Sequence, residues 1–388
     1  MNRGIAMSAE KKRFYFIDQF RGWAVLFMVE THVVNAFLLP GLRSSPAYRA
    51  LDFFNGLIAP AFLFIAGFSF AIVAGRRWDD FLRPGRVFGK QFLRCLQILL
   101  IGYLLHVPQF SLPLLLRTLK WSEKNIFWGV DVLHAIALSL LLMLLFIPIW
   151  RRRERYFVFL TAAGLAVALL TPWLRSLPLE KALPWALSGY LKRLPFSQFP
   201  LFPWMGFAFL GAAASWFWQT SRRSGDEARF FKLLFIVGAS LVAVFSVIVL
   251  QPFAHIVFGS FNPAKPLFFF LKLGLVLALL SLLWRLGQRN GERPVLVTRV
   301  GQESLPAYAF HIAVIYGGFS GPYGHSLAHL IGPTRSWIEV SAMAVVLILA
   351  TGALSLGWHW LKQNRPLLAK SVFWLGAGLL VIYMIFRK

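Results

Sequence analysis

The sequence predicts an all-α, polytopic integral membrane protein of about eleven transmembrane helices, and three observations predict it. Apolar stretches near the twenty residues needed to cross a bilayer recur along the whole chain. The 388 residues are 58% hydrophobic and 14% charged, with a mean hydropathy of +0.65, a balance that a soluble domain of this size does not tolerate. Lys and Arg gather in every second connection between the apolar stretches.

The predicted spans are, in order, residues 20–39, 56–74, 88–107, 127–150, 156–174 and 199–218. They continue with 230–250, 266–286, 304–319, 338–361 and 372–386. The connections leave no room for a soluble domain, so residues 1–388 are read as one membrane domain, with 1–19 as a cytoplasmic N-terminal segment. The first run is too long for a signal peptide, contains Glu30 and His32, and has no small-residue cleavage site after it. The longest outer connections, 108–125 and 175–199, carry aromatics and Pro and are expected to fold over the outer mouth. Phe199-Pro-Leu-Phe-Pro-Trp204 suits a helix start at the membrane interface, with Trp204 as its anchor.

The formal charge of +25 is topological. Basic residues concentrate at 3–13, 76–90, 151–155, 222–232, 285–299 and 362–370, while 41–55, 260–265 and 321–336 are poorer in them. That alternation places the N-terminus in the cytoplasm and the C-terminus outside, and it argues against a nucleic-acid footprint. The single cysteine, Cys95, excludes an internal disulfide and a Cys-based metal cluster. Within an apolar helix it reads as a small buried hydrophobe.

Arg21 and His32 are the most informative pair. Eleven residues make about three helical turns, so both side chains share one face about 16 Å apart along the axis. Arg21 then lies at one membrane surface and His32 well inside, where an ionisable group raises a functional hypothesis. Arg83, Arg86, Lys90 and Arg94 step by three or four residues into the third predicted span. They form one basic stripe, whose outer members also suit membrane anchoring and snorkelling. Arg94 lies a turn deeper and needs an anion or a carboxylate partner. With Asp18 and Arg21 at the same depth, the stripe suits the phosphates of a cytoplasmic ligand.

Asp131 and His134 share a face of the fourth predicted span, where the carboxylate can orient the imidazole. With that span starting at residue 127, His134 is expected about 12 Å below its outer end, at the depth of His32. Either a catalytic pair or a satisfied interhelical hydrogen bond accounts for it. Asn35, one turn above His32, Tyr308 and His311 are placed in the same cavity as substrate contacts. Glu30 points away from His32 and is expected to pair with Arg94 or Lys272. His325 and His329 have metal-ligand spacing but no third ligand in sequence, and no metal is expected.

Several segments together resemble one family. Ile17-Asp-Gln-Phe-Arg-Gly-Trp-Ala24, continuing to His32, is similar to the first-helix motif of the transmembrane acyltransferases, an Arg followed by ten residues and a His. Ala59-Pro-Ala-Phe-Leu-Phe-Ile-Ala-Gly67, Gly129-Val-Asp-Val-Leu-His134, Phe202-Pro-Trp-Met-Gly206 and Gly301-Gln-Glu-Ser-Leu-Pro-Ala-Tyr-Ala-Phe-His311 extend the likeness. The closest branch is the bacterial form of the heparan-α-glucosaminide N-acetyltransferase catalytic-domain family, and the role of His32 is carried over from the wider superfamily.

The resemblance implies a multi-pass enzyme of a bacterial inner or plasma membrane that uses acetyl-CoA or another acyl-CoA as co-substrate. Its phosphates would dock on Asp18, Arg21, Arg86, Lys90 and Arg94, and its pantetheine arm would carry the thioester inward. His32, with Asp131 and His134, would pass the acyl group to an extracytoplasmic amine or hydroxyl of an amino sugar, glycan or lipid head group. His32 would act as general base or form an acyl-histidine. A homo-oligomer is compatible with this reading. The rival is a proton-coupled transporter relaying through His32, Glu30 and Asp131; matching Gly/Pro-interrupted half-spans expected of inverted repeats are not evident.

Overall fold

The computed structural model describes residues 13–119, 125–250, 266–289, 293–317 and 326–387. Residues 1–12 of the N-terminal segment, the outer stretch 260–265 and His325 lie outside the described residues, as do 120–124, 290–292 and 321–324 of the connections named above. The helices are α1 (Tyr15–Phe37), α2 (Pro46–Asn55), α3 (Ile58–Arg76), α4 (Arg86–Leu105), α5 (Leu112–Thr118), α6 (Val132–Trp150), α7 (Arg153–Ser176) and α8 (Trp185–Leu191). They continue as α9 (Leu201–Arg223), α10 (Glu227–Leu250), α11 (Pro266–Arg289), α12 (Leu296–Gln302), α13 (Ser304–Tyr316), α14 (Trp337–Asn364) and α15 (Pro366–Phe386). Among the described residues there is no strand, only isolated bridges of Leu38 with Arg335 and Leu194 with Ser197.

The protein is an all-α, multi-pass membrane protein. Nine described stretches are long and apolar enough to cross a membrane, α2 and α3 forming one of them. Two predicted runs stand apart from these nine. α1 carries Asp18, Arg21 and Glu30 and runs through the centre of the molecule, touching α3, α11, α12, α13 and α14. α13 has 13 residues, about 20 Å of helix, and follows α12 after a break at Glu303. Glu303 is buried there, accepting from His359 Nδ1 at 3.2 Å and Lys362 Nζ at 2.6 Å, which ties the break to α14.

α1 begins at Tyr15 rather than at residue 20 because its first turn is satisfied. The buried Asp18 carboxylate accepts from Arg13 Nε at 2.7 Å, Arg21 at 3.4 Å and Gln302 Nε2 at 3.3 Å, and its charge suits the positive end of the helix. α6 begins later than expected, at Val132 rather than residue 127. A 3-10 turn at Ile126–Trp128 precedes it, and Asp131 caps it by accepting the His134 backbone N–H at 3.1 Å. His134 therefore sits in the first turn, about 4 Å along the helix and not about 12 Å.

Small residues set the closest crossings, as expected where helices associate in lipid. A Cβ on Gly67 would stand 1.8 Å from the Ala208 carbonyl oxygen, and one on Gly211 would stand 2.1 Å from that of Phe64, so α3 and α9 touch backbone to backbone. Trp204 does not anchor at an interface: it is 7% exposed, its ring 5.0 Å from that of Phe199 inside the core. Cys95 is buried, as expected.

Candidate active site

Two cavities flank the middle of α1. The one beside Arg21 is called inner here and the one beside His32 outer. The inner cavity, about 370 Å³, takes Arg21, Ser69, Gln91 and Arg94 into an otherwise mostly apolar wall that contains no carboxylate. Arg21 is steadied at its rim: it donates to Ser69 Oγ at 3.0 Å and reaches Asp18 Oδ1 at 3.4 Å and the Gly301 carbonyl at 3.5 Å. Two guanidinium groups in a cavity wall without a carboxylate suit an anion.

Asp18 itself is outside this wall and holds Arg13 and Arg21 from behind. A carboxylate in that role positions the arginine and does not contact a phosphate, which corrects its expected part. Arg86 and Lys90 also lie outside the wall, exposed two turns and one turn from Arg94 toward the N-terminal end of α4, with Arg83 just before the helix. Of the basic stripe, only Arg94 enters the cavity.

The outer cavity, about 480 Å³, brings together His32, Asn35, Asp131 and Tyr308 as the spacing led one to expect. It adds Asn55, His106, Gln198 and Tyr316, with Phe196 and Phe199 contributing aromatic wall. No described residue hydrogen-bonds the His32 ring nitrogens. The ring stands 5.2 Å from that of His311 and 5.7 Å from that of Tyr316, whose hydroxyl donates to the His32 carbonyl at 3.2 Å.

His311 and His134 lie behind the wall rather than in it. Both are fully buried, and each has an Nε2 with no partner among the described residues. His311 Nδ1 donates to the Ala307 carbonyl at 2.8 Å, which leaves its Nε2 as the basic nitrogen. His134 Nδ1 lies 2.6 Å from Asp131 Oδ1, while Tyr308 donates to Asp131 Oδ2 at 3.1 Å. The imidazole of His134 rests edge-on against Tyr103, ring centres 4.4 Å apart, in space that Gly102 leaves open. Of the residues lining the outer cavity, His134 bonds Asp131.

Donor atoms of His106, Asp131 and His134 lie within 4.8 Å of one another. Tetrahedral ligands bonded at about 2.0–2.1 Å stand about 3.3 Å apart, so the 2.6 Å His134–Asp131 contact is a hydrogen bond and not a pair of ligands. His106 Nδ1 donates to the Gly102 carbonyl at 2.9 Å, which aims the ring at the cavity. Sequence reasoning missed this residue; a lone His at the end of an apolar run was the signal.

The expected pairing of Glu30 with Arg94 or Lys272 is not formed. Glu30 bonds Asn55 and leaves Oε2 buried without a partner among the described residues. Lys272 bonds the Phe53 carbonyl, between the Phe53 and Phe268 rings at 4.1 and 4.9 Å.

Phe62, Val132 and Tyr308 belong to both walls, so the two cavities meet at these side chains. Guanidinium groups lining one cavity and an imidazole and a carboxylate lining the other, with only these three side chains shared between the walls, suit a transfer between two substrates. Comparison with known families agrees: heparan-alpha-glucosaminide N-acetyltransferase, catalytic, matches residues 13–248. The chain belongs to this family. Its membership makes the protein a membrane acetyltransferase in class, and the match takes in Arg21, His32, Arg94, Asp131 and His134 while ending before Tyr308 and His311. No individually curated protein matches the chain.

Proposed function

We propose that the protein moves an acyl group, acetyl in the first instance, from cytoplasmic acyl-CoA to an amine or hydroxyl of a sugar or glycan on the far side of a cell membrane. The observation that carries this reading is the pair of cavities meeting at Phe62, Val132 and Tyr308, with cations lining one and His32 lining the other. CoA phosphates sit at Arg21 and Arg94. The pantetheine arm, of the same order of length as the roughly 16 Å between Arg21 and His32, threads the neck. The thioester then meets the acceptor beside His32.

His32 takes the acceptor proton as its nitrogen or oxygen attacks the thioester carbonyl. The C–S bond breaks, and the departing thiolate takes that proton back from the imidazolium, so no net charge crosses. Asn35, Asn55 and Gln198 offer amides, and Phe196 and Phe199 an aromatic face, to a sugar ring in the outer cavity. Asp131, fixed by His134 and Tyr308, orients the acceptor. The enclosing helices keep water from the thioester.

The test is CoA binding to Arg94→Ala protein in detergent. Loss of about 1.5–3 kcal/mol of binding free energy is expected, the size of a charged hydrogen bond, with thermal stability kept because the side chain faces the cavity. Unchanged CoA affinity in the folded variant would remove the donor site from the inner cavity.

A further inference from the structure

Three side chains from three helices line both cavities and stand between them: Phe62 of α3, Val132 at the start of α6 and Tyr308 of α13; on the donor–acceptor reading they are the neck that the arm must pass. Each is held. The Tyr308 hydroxyl donates to Asp131 Oδ2 at 3.1 Å, and the residue is 5% exposed, so the ring cannot swing aside without leaving a buried carboxylate oxygen short of a donor. Val132 is β-branched, stiff at χ1, and 7% exposed in the first turn of a capped helix. Phe62 is half-buried against the cluster that contains Met28, Leu133 and Tyr308. Polar groups that could bind an acyl chain are absent from the other two, so the neck acts by shape.

We infer that this neck, and Phe62 and Val132 in particular, sets which acyl groups the protein accepts, admitting unbranched short acyl groups and rejecting branched or aromatic ones. The inference rests on the donor-inside, acceptor-outside reading given above. With the phosphates at Arg21 and Arg94 and the base at His32, the acyl group is the leading end of the arm and passes the neck first. The β-alanine–cysteamine end of the arm behind it is unbranched, the gem-dimethyl carbon lying back toward the phosphates, so a straight acyl group of similar cross-section passes wherever that end of the arm does. A carbon branched next to the carbonyl, or a phenyl ring there, is wider than the arm at the point where the wall is stiffest. Selection is by cross-section at the neck. The outer cavity, at about 480 Å³, has room for a wider group once past it.

The experiment uses the full-length protein in detergent with acetyl-, butyryl-, isobutyryl- and benzoyl-CoA and a soluble amino-sugar acceptor, reading product by mass. Wild type is expected to use acetyl and butyryl groups and to give little isobutyryl or benzoyl product. Phe62→Ala, and independently Val132→Ala, should raise the isobutyryl-to-acetyl rate ratio by about tenfold or more, the scale on which a pocket discriminates by a methyl group or two. The second variant keeps the test open should the first fail to fold. An unchanged ratio in either folded variant that still transfers acetyl would overturn the role of the neck while leaving the donor–acceptor reading in place. Wild-type transfer of benzoyl as fast as acetyl would also overturn it. No transfer from any acyl-CoA, acetyl included, would overturn the donor–acceptor reading and this inference with it.

Discussion

On the proposed reading His32 is the residue on which the chemistry turns, and its surroundings suit that position. Its ring faces the outer cavity with no described hydrogen-bond partner, while His311, 5.2 Å away, has its own Nδ1 committed to a backbone carbonyl. Replacing His32 with Ala should lower acyl transfer by about 10² to 10⁴ and leave CoA affinity nearly unchanged, because the phosphates bind at Arg21 and Arg94. Product formation and CoA binding on the same folded sample check both halves; full turnover there would end the case for this base. The pairing of Asp131 with His134 was legible from a spacing of three residues, because that spacing holds on any helix face. The partners of Glu30 and Lys272 were not, because they depend on which helices adjoin, which periodicity does not encode.

At the scale of elements, the site rests on α1 lying directly against α12. A Cβ on Gly301 would come 1.8 Å from the Asp18 carbonyl oxygen and 2.7 Å from the Gly22 nitrogen, and the Gly301 carbonyl itself receives Arg21 at 3.5 Å. Gly301→Ala should therefore push the helices apart, destabilise the protein by about 1–3 kcal/mol and weaken CoA binding by displacing Arg21. Gly89, on α4, is the control, since a Cβ there would meet nothing within 4 Å. Gly89→Ala should be neutral or stabilising by up to about 1 kcal/mol. Thermal midpoints and CoA affinities of the two variants decide it, and equal behaviour would mean that the crossing does not hold Arg21. The start of α6 was not readable from hydrophobicity. Residues 127–131 are apolar enough to extend the helix, but Asp131 competes for the backbone as a cap.

Across the whole molecule, the sequence carried the class because hydropathy and charge alternation act over tens of residues, and it placed Arg21 and His32 in separate cavities through helical geometry alone. It did not carry the junction of those cavities, since Phe62, Val132 and Tyr308 are far apart in the chain and individually ordinary. The two-sided architecture leads to a direct test. Cys95 is the one cysteine and is buried, so a Cys95→Ala background permits single reporter cysteines. Gln91→Cys places a thiol in the inner wall and Gln198→Cys one in the outer wall. A membrane-impermeant maleimide should modify the first only from the cytoplasmic face of oriented vesicles and the second only from the opposite face. CoA should protect the first, whose neighbours are Arg21 and Arg94, more strongly than the second, since only the thiol end of its arm reaches the outer cavity. Modification of both from one face would contradict the alternation of basic connections and the opposed cavities together. Protection of Gln198→Cys alone would place the donor on the wrong side of the neck.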